Sequence, residues 1–320
     1  MIVAVLIHDR GVLEESSLQG LTFARRLANE LGVELHAAVV GVEMEGLADF
    51  GVSVTHQIVH DGLDDYSPLA WGRSIAQLAE SLDPVAVVGT GTDRGNEVMA
   101  HVGAITSLPM VANCRSVDAS EDSWTVMRTR WGGSLLEEAR LEAPIKLITV
   151  TEHSIEPSEV DEPSDVRIET FTPELGEADL VTKTTDRVTV AEGVTLATAP
   201  VVVSGGRGVG SAEGFEQLVE LADLLGGVVG CSRVVTNNGW RPHSDQVGQT
   251  GTVVAPDIYI ACGISGAIQH WVGMMASKTI IAINTDAEAP MVTKADYAVI
   301  GDLHEIVPAL VAELRERQST

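Results

Sequence analysis

A chain of 320 residues, 45% of them apolar and only 4% aromatic, is long enough for two aliphatic-cored α/β domains. Its 20 basic residues against 46 acidic ones leave a net charge of −26, which excludes nucleic-acid binding by phosphate neutralisation, since no basic stripe exists to release counterions. No apolar run reaches the roughly 18 residues that a membrane span needs, so direct membrane insertion is excluded too.

The first eleven residues, MIVAVLIHDRG, carry no basic region ahead of the apolar run and fit a buried strand rather than a signal peptide. Residues 2–8 are that strand. Helical spacing follows over 17–32, with Leu18, Leu21, Ala24, Leu27 and Leu31 on one face and glycine at the C-cap position. Strands are predicted over 33–41 and 54–60, a helix over 68–82, and strands over 85–89 and 145–150. Such alternation gives an α/β, doubly wound domain with a predominantly parallel sheet. His56 and His60 share one strand face, where two imidazoles can bind a metal, but no metal site is expected. Residues 93–104 are either a nucleotide loop and helix or, with no phosphate motif in them, part of a scaffold and docking surface.

Residues 151–165 hold six acidic residues, two prolines and no lysine or arginine. They cannot bury apolar surface, so 151–187 is expected to be an acidic linker between an N-terminal domain over 1–150 and a C-terminal domain over 188–320. Cys114, Cys231 and Cys262 form no CxxC pair, which argues against an iron–sulfur or Cys-rich zinc site and for a reducing, cytoplasmic compartment. Only four of the cations are lysines, as suits a protein screened by salt or an ordinary acidic one.

The second half repeats the alternation: strand 200–204, helix 212–225, strand 228–232, strands 258–262 and 279–283 flanking a helix over 267–274, strand 298–301 and helix 303–317. In IYIACGISGAIQH the glycine turn opens a helix, where free N–H groups and the helix dipole favour a phosphate. Ser265, Gln269, His270 and Asn284 range round it. The segment SGGRGVG over 204–210 is neither GxGxxG nor a P-loop. It is a tight turn with a solvated arginine or a dinucleotide contact through Arg207. Ser232 and Arg233 end a strand on the crevice side, where an arginine can stack on a planar ring or pair on the surface. Cys231 is a candidate thiol or, with no base nearby, a small buried residue. Residues 245–251 form a loop rich in donors. Asn284 and Asp302 each end a strand, and Asp302 can equally cap the next helix.

Taken in order, VVVSGGRG, CSR, QVGQTG, IYIACGISGAIQH, AIN, DAEAP, ADY and GDL resemble the electron transfer flavoprotein alpha subunit, with RWGG over 130–133 the best fragment of a looser match in the first half. The resemblance implies two Rossmann-like domains, the second binding one FAD. Implied contacts are Arg207, Ser232, Arg233, Val247, Gly248, Gln249, Thr250, Ser265, Gly266, Ala267, Ile268, Gln269, His270, Asn284, Asp302 and Leu303. Within that frame, residues 265–268 suit the pyrophosphate, Asn284 and Asp302 the adenosine end, and Arg233, Thr250 and His270 the isoalloxazine. Also implied are a heterodimer with a beta subunit, electrons from flavoprotein dehydrogenases such as acyl-CoA dehydrogenases of fatty acid oxidation, and delivery towards a membrane quinone oxidoreductase. The chain is then a carrier with no substrate chemistry of its own. An electron-bifurcating member oxidising NADH is the alternative within the family. Outside it stand an NAD(P)-dependent oxidoreductase, for which GxGxxG and an acid–base pair are missing, and a non-redox nucleotide-binding regulator. Cys231, Cys262 and Trp271 depart from the family's usual small or aliphatic residues.

Overall fold

The structure, a computed structural model, describes all residues except 10, 121–122, 164, 185–193 and 319–320, and all their side chains except that of Asp9. The chain divides into two units, Met1–Arg130 with Leu136–Thr189, and Trp131–Leu135 with Val190–Thr320.

In β1 (Ile2–Val5) and the two residues after it, Ile2, Ala4 and Leu6 enter one apolar cluster while Val3, Val5 and Ile7 enter another. A strand apolar on both sides must be covered on both sides, as a parallel sheet requires. A short antiparallel ribbon, β2 (His8–Asp9) and β3 (Val12–Leu13), leads into α1 (Glu15–Leu31), which Gly32 ends at φ 64°. There follow β4 (Leu35–Val40), β5 (Val54–Ile58), α2 (Pro68–Leu82), β6 (Ala86–Thr90), α3 (Asp93–Thr106), β7 (Met110–Asp118), β8 (Trp124–Arg130), β9 (Leu135–Leu141), β10 (Lys146–Val150) and β11 (Arg167–Phe171). The nine-stranded sheet runs β11-β5-β4-β1-β6-β10-β7-β8-β9. Its middle, β5-β4-β1-β6-β10, is parallel, and β7 and β8 are antiparallel. Leu21, Ala24 and Leu27 of α1 fill one face; Trp71 and Ile75 of α2 with Val98 and Met99 of α3 fill the other. Each buried side chain of this size contributes about 1.5–3 kcal/mol.

The stretch 151–187, expected as a linker, contains β11, which pairs in parallel with β5 although its side chains are mostly exposed. Val160 N donates to Asp49 O, and Ser158 N to Thr22 Oγ1. Besides these bonds, Ile155 and Val166 pack partly buried against one apolar cluster of the first unit, and Phe171, Leu175 and Leu180 against the other. The expected boundary at 187–188 lies outside the described residues. His56 and His60 do not converge: His56 Nε2 lies 2.9 Å from His36 Nδ1, and His60 Nδ1 accepts from Gly62 N.

The second unit contains β12 (Val201–Gly205), α4 (Glu216–Leu224), β13 (Val228–Cys231), α5 (Arg233–Asn237), β14 (Ile258–Cys262), α6 (Ile268–Trp271), β15 (Thr279–Asn284), α7 (Pro290–Lys294), β16 (Tyr297–Ile300) and α8 (Leu303–Gln318). Its five strands are all parallel, in the order β13-β12-β14-β15-β16. Leu218 and Leu221 of α4 and Val307 and Val311 of α8 pack on one face; Met274 and Met291 pack on the other. The helix expected over 212–225 begins as a separate tight turn, Glu213–Phe215. The one expected over 267–274 is only the four-residue α6. Just beyond it Gly273 lets two backbones meet, since a Cβ there would lie 2.3 Å from Gly248 Cα.

Candidate functional site

The strand order β13-β12-β14 reverses direction between β12 and β14, the switch point where a doubly wound sheet opens a crevice at its carboxyl ends. Residues following all five strands, with the loop 246–250, line a cavity of about 660 Å³ there, a size within the roughly 300–1,000 Å³ of ligand pockets. After β12 come Arg207 and Gly208; after β13, Ser232 and Arg233; after β14, residues 263–267, Gln269 and His270. β15 ends at Asn284, with Thr285 and Asp286 after it, and beyond β16 lie Gly301 to Leu303. Val247, Gly248, Gln249 and Thr250 complete the wall. Of the residues expected from sequence, only Ile268 is off the lining; it is 45% exposed.

Two glycine contacts shape the floor. A Cβ on Gly208 would lie 2.8 Å from Gly263 Cα, so the turns after β12 and β14 touch backbone to backbone. Gly266 sits at φ 81°, where a Cβ would lie 2.3 Å from Met291 N. The N–H groups of Ser265, Gly266 and Ala267 donate to no acceptor among the described residues. They form a small cluster of bare donors. The helix behind them is one turn long, so what the turn can offer an anion is bare N–H groups rather than a macrodipole.

Arg207 and Arg233 are exposed and form no ion pair among the described residues. In a chain of net charge −26, two unpaired guanidinium groups on one wall make a local positive focus. Ser232 Oγ is buried without a hydrogen-bond partner, and His270 Nδ1 has none of good geometry, although the Val247 backbone lies close enough to act on it. A buried polar atom left orphaned costs about 1–3 kcal/mol unless a ligand satisfies it. The His270 ring is 7% exposed, and its Nε2 lies 2.9 Å from the buried Tyr259 hydroxyl. Burial pushes its pKa down to about 4 against the opposing Val247 backbone, so the imidazole is neutral at physiological pH. Cys231 is fully buried, and desolvation, with Asp245 adding to it, pushes the thiol up to about 12, which makes it a packing residue.

Several expected ligands have structural duties as well. Asn284 Nδ2 donates to Ile264 O at 3.0 Å and its Oδ1 accepts from Asp286 N at 3.1 Å, so this side chain clamps the two turns together. Asp302 Oδ1 accepts from His304 N at 2.9 Å and caps α8, leaving Oδ2 for another partner. Gln249 Nε2 donates to Trp131 O within the second unit. Among the lining residues not expected from sequence is Gln246, 2% exposed, whose Nε2 donates to Thr250 Oγ1 at 2.9 Å and whose Oε1 accepts from Thr236 Oγ1 at 2.7 Å. Its one signal was position: a glutamine beside an apolar valine at the mouth of a donor-rich loop.

A parallel, doubly wound sheet with bare N–H groups and unpaired arginines at its switch point defines the class: a protein that binds a phosphate-bearing nucleotide cofactor. Comparison with known proteins narrows this. Residues 2–175 match the model of the electron transfer flavoprotein domain, and residues 195–275 that of the electron transfer flavoprotein FAD-binding domain. The electron transfer flavoprotein subunit alpha of Mycobacterium leprae is 37% identical over 320 residues, covering 97% of this chain and 97% of its own. That of Thermoanaerobacterium thermosaccharolyticum is 35% identical over 315 residues, covering 96% and 95%, and that of Bacillus subtilis 32% over 317 residues, covering 96% and 96%. The chain belongs to the electron transfer flavoprotein alpha subunit family. FAD, expected from the motifs, agrees with the description of the matching domain. No described helix is long and apolar enough to cross a membrane.

Proposed function

We propose that this chain is the FAD-holding subunit of an electron carrier that works with a beta subunit. It takes electrons from flavoprotein dehydrogenases, acyl-CoA dehydrogenases among them, and passes them towards a membrane quinone oxidoreductase. The observation that carries the reading is the meeting, in one crevice, of two unpaired arginines, three bare N–H groups, the orphaned Ser232 Oγ and the poorly partnered His270 Nδ1. These suit a ligand with anionic phosphates and a polar-edged ring. Ser265, Gly266 and Ala267 would hold the pyrophosphate through their N–H groups, with Arg207 adding charge. Arg233, Thr250 and His270 would face the ring. Asp302 Oδ2 suits a ribose hydroxyl, while Asn284 keeps the phosphate turn in place. FAD, when bound, supplies reversible uptake of one or two electrons. Around it, the chain supplies a fixed cation, neutral donors and a wall that excludes water. The neutral His270 is the one imidazole in that wall, which suits a carrier better than a dehydrogenase in need of an acid–base pair.

The test is a flavin count on protein co-expressed with its beta partner. One FAD per heterodimer, unreduced by NADH, is expected. A colourless complex that takes up no added FAD would overturn the reading. A second flavin reduced by NADH would replace the simple carrier with the bifurcating form.

A further inference from the structure

We infer that Gln246 is a reversible pivot that lets Thr250 offer the crevice either a hydroxyl proton or a lone pair, an inference that rests on the FAD reading above. Thr250 is exposed on the lining, and Gln246 lies buried behind it. Behind Gln246 stands Thr236, whose Oγ1 is 2.7 Å from Gln246 Oε1 and 3.0 Å from Arg233 O. The row therefore runs from the Arg233 carbonyl through two hydroxyls and one amide to the crevice.

Two hydrogen-bond patterns satisfy this row. In one, Thr236 donates to Gln246 Oε1, Gln246 Nε2 donates to Thr250 Oγ1, and the Thr250 proton is left for the crevice. In the other, the amide turns over. Thr236 then donates to Arg233 O and accepts from Gln246 Nε2, while Gln246 Oε1 accepts the Thr250 proton and a Thr250 lone pair faces the crevice. A primary amide carries donors at one end and an acceptor at the other, with nearly equal size, so the same cavity holds both. Each pattern gives the amide oxygen one donor and the amide nitrogen one acceptor, and the second amide N–H stands alike in both, which keeps them close in energy. No proton leaves its heavy atom; one amide and two hydroxyls rotate. A redox cofactor with a ring nitrogen that accepts when oxidised and carries a hydrogen when reduced gains from such a neighbour. A group locked as donor would favour only one redox state.

The test uses the FAD-loaded, nitrogen-labelled protein with its partner. The Gln246 side-chain amide resonance is assigned by its loss in Gln246→Leu, or in Gln246→Glu should the leucine variant fail to fold. Its position is then compared in the oxidised and fully reduced forms. A shift between the two that vanishes in Thr250→Val is expected; an unmoved resonance, or the same shift in Thr250→Val, would overturn the pivot. Potentials give a second readout: replacing Gln246 should move the couple when Thr250 is present and not in Thr250→Val, and additive effects would count against the pivot. Failure of the unaltered protein to take up FAD sinks the cofactor reading and this inference together, whereas uptake with a static amide sinks the pivot alone.

Discussion

In the first unit the carboxyl ends of β6 and β10 are closed by their own side chains. Thr92 Oγ1 accepts from Gly95 N, Asn96 Nδ2 donates to Gly91 O, and Thr149 Oγ1 donates to Asn96 Oδ1. The cavity of about 640 Å³ in this unit, lined by Gln77, Asp83, Thr106 and Ile145 among others, sits instead near the amino ends of β6 and β10. At the carboxyl ends in the second unit, Ser232 Oγ, His270 Nδ1 and the turn after β14 leave donors and acceptors unused. Winding determines where a crevice can open. Unsatisfied polar groups determine whether the crevice has anything to bind.

Three experiments probe this contrast, the largest effect first. Gly266→Val forces the phosphate turn off Met291 and should abolish FAD content while circular dichroism is unchanged; full FAD content in the variant would show that the turn is not the anchor. Acid comes next. The folded pKa of His270 is about 4 and an unperturbed histidine lies near 6.5, so between those values the unfolded chain binds a proton that the folded unit does not. The His270 contribution is complete above about pH 6.5 and is lost as pH falls towards 4, by about 3 kcal/mol in all. His56, lowered by burial first and then by its neighbour His36, gives the first unit a dependence of the same sign. Denaturant melts followed by a probe in the second unit should therefore flatten in His270→Gln; an unchanged slope would assign the acid sensitivity elsewhere. The smallest effect is expected for Arg233→Ala, which should retain FAD and lower the potential of the first electron. A spectroelectrochemical titration with an unmoved couple would take Arg233 away from the ring.

Much of the second unit could be read from residues alone, because glycines follow aliphatic runs there and parallel strands buried on both faces leave long β-branched stretches. Its short helices could not. α5, α6 and α7 are four or five residues each, too brief for periodicity to register. In the first unit β7, β8 and β9 escaped because Arg115, Arg128, Glu137 and Glu138 interrupt any apolar alternation. β11 hid in an acidic stretch because its pairing with β5 rests on the main chain. Within the site, residues defined by glycine and charge were legible. Gln246 was not, since a glutamine acquires its role only when folding sets Thr236 and Thr250 on either side of it.

Every neighbouring pair in the second sheet is parallel, whereas β7 and β8 of the first meet across a short connection. A hairpin zips locally, but parallel neighbours come together only after a long crossover segment has closed, at a corresponding entropic cost. The second sheet thus lacks a hairpin, and its crevice, built from all five strand ends, is complete only when all five strands are in place. A cofactor that binds only the assembled crevice stabilises the folded form by mass action, so expression with added flavin is expected to raise the yield of folded protein.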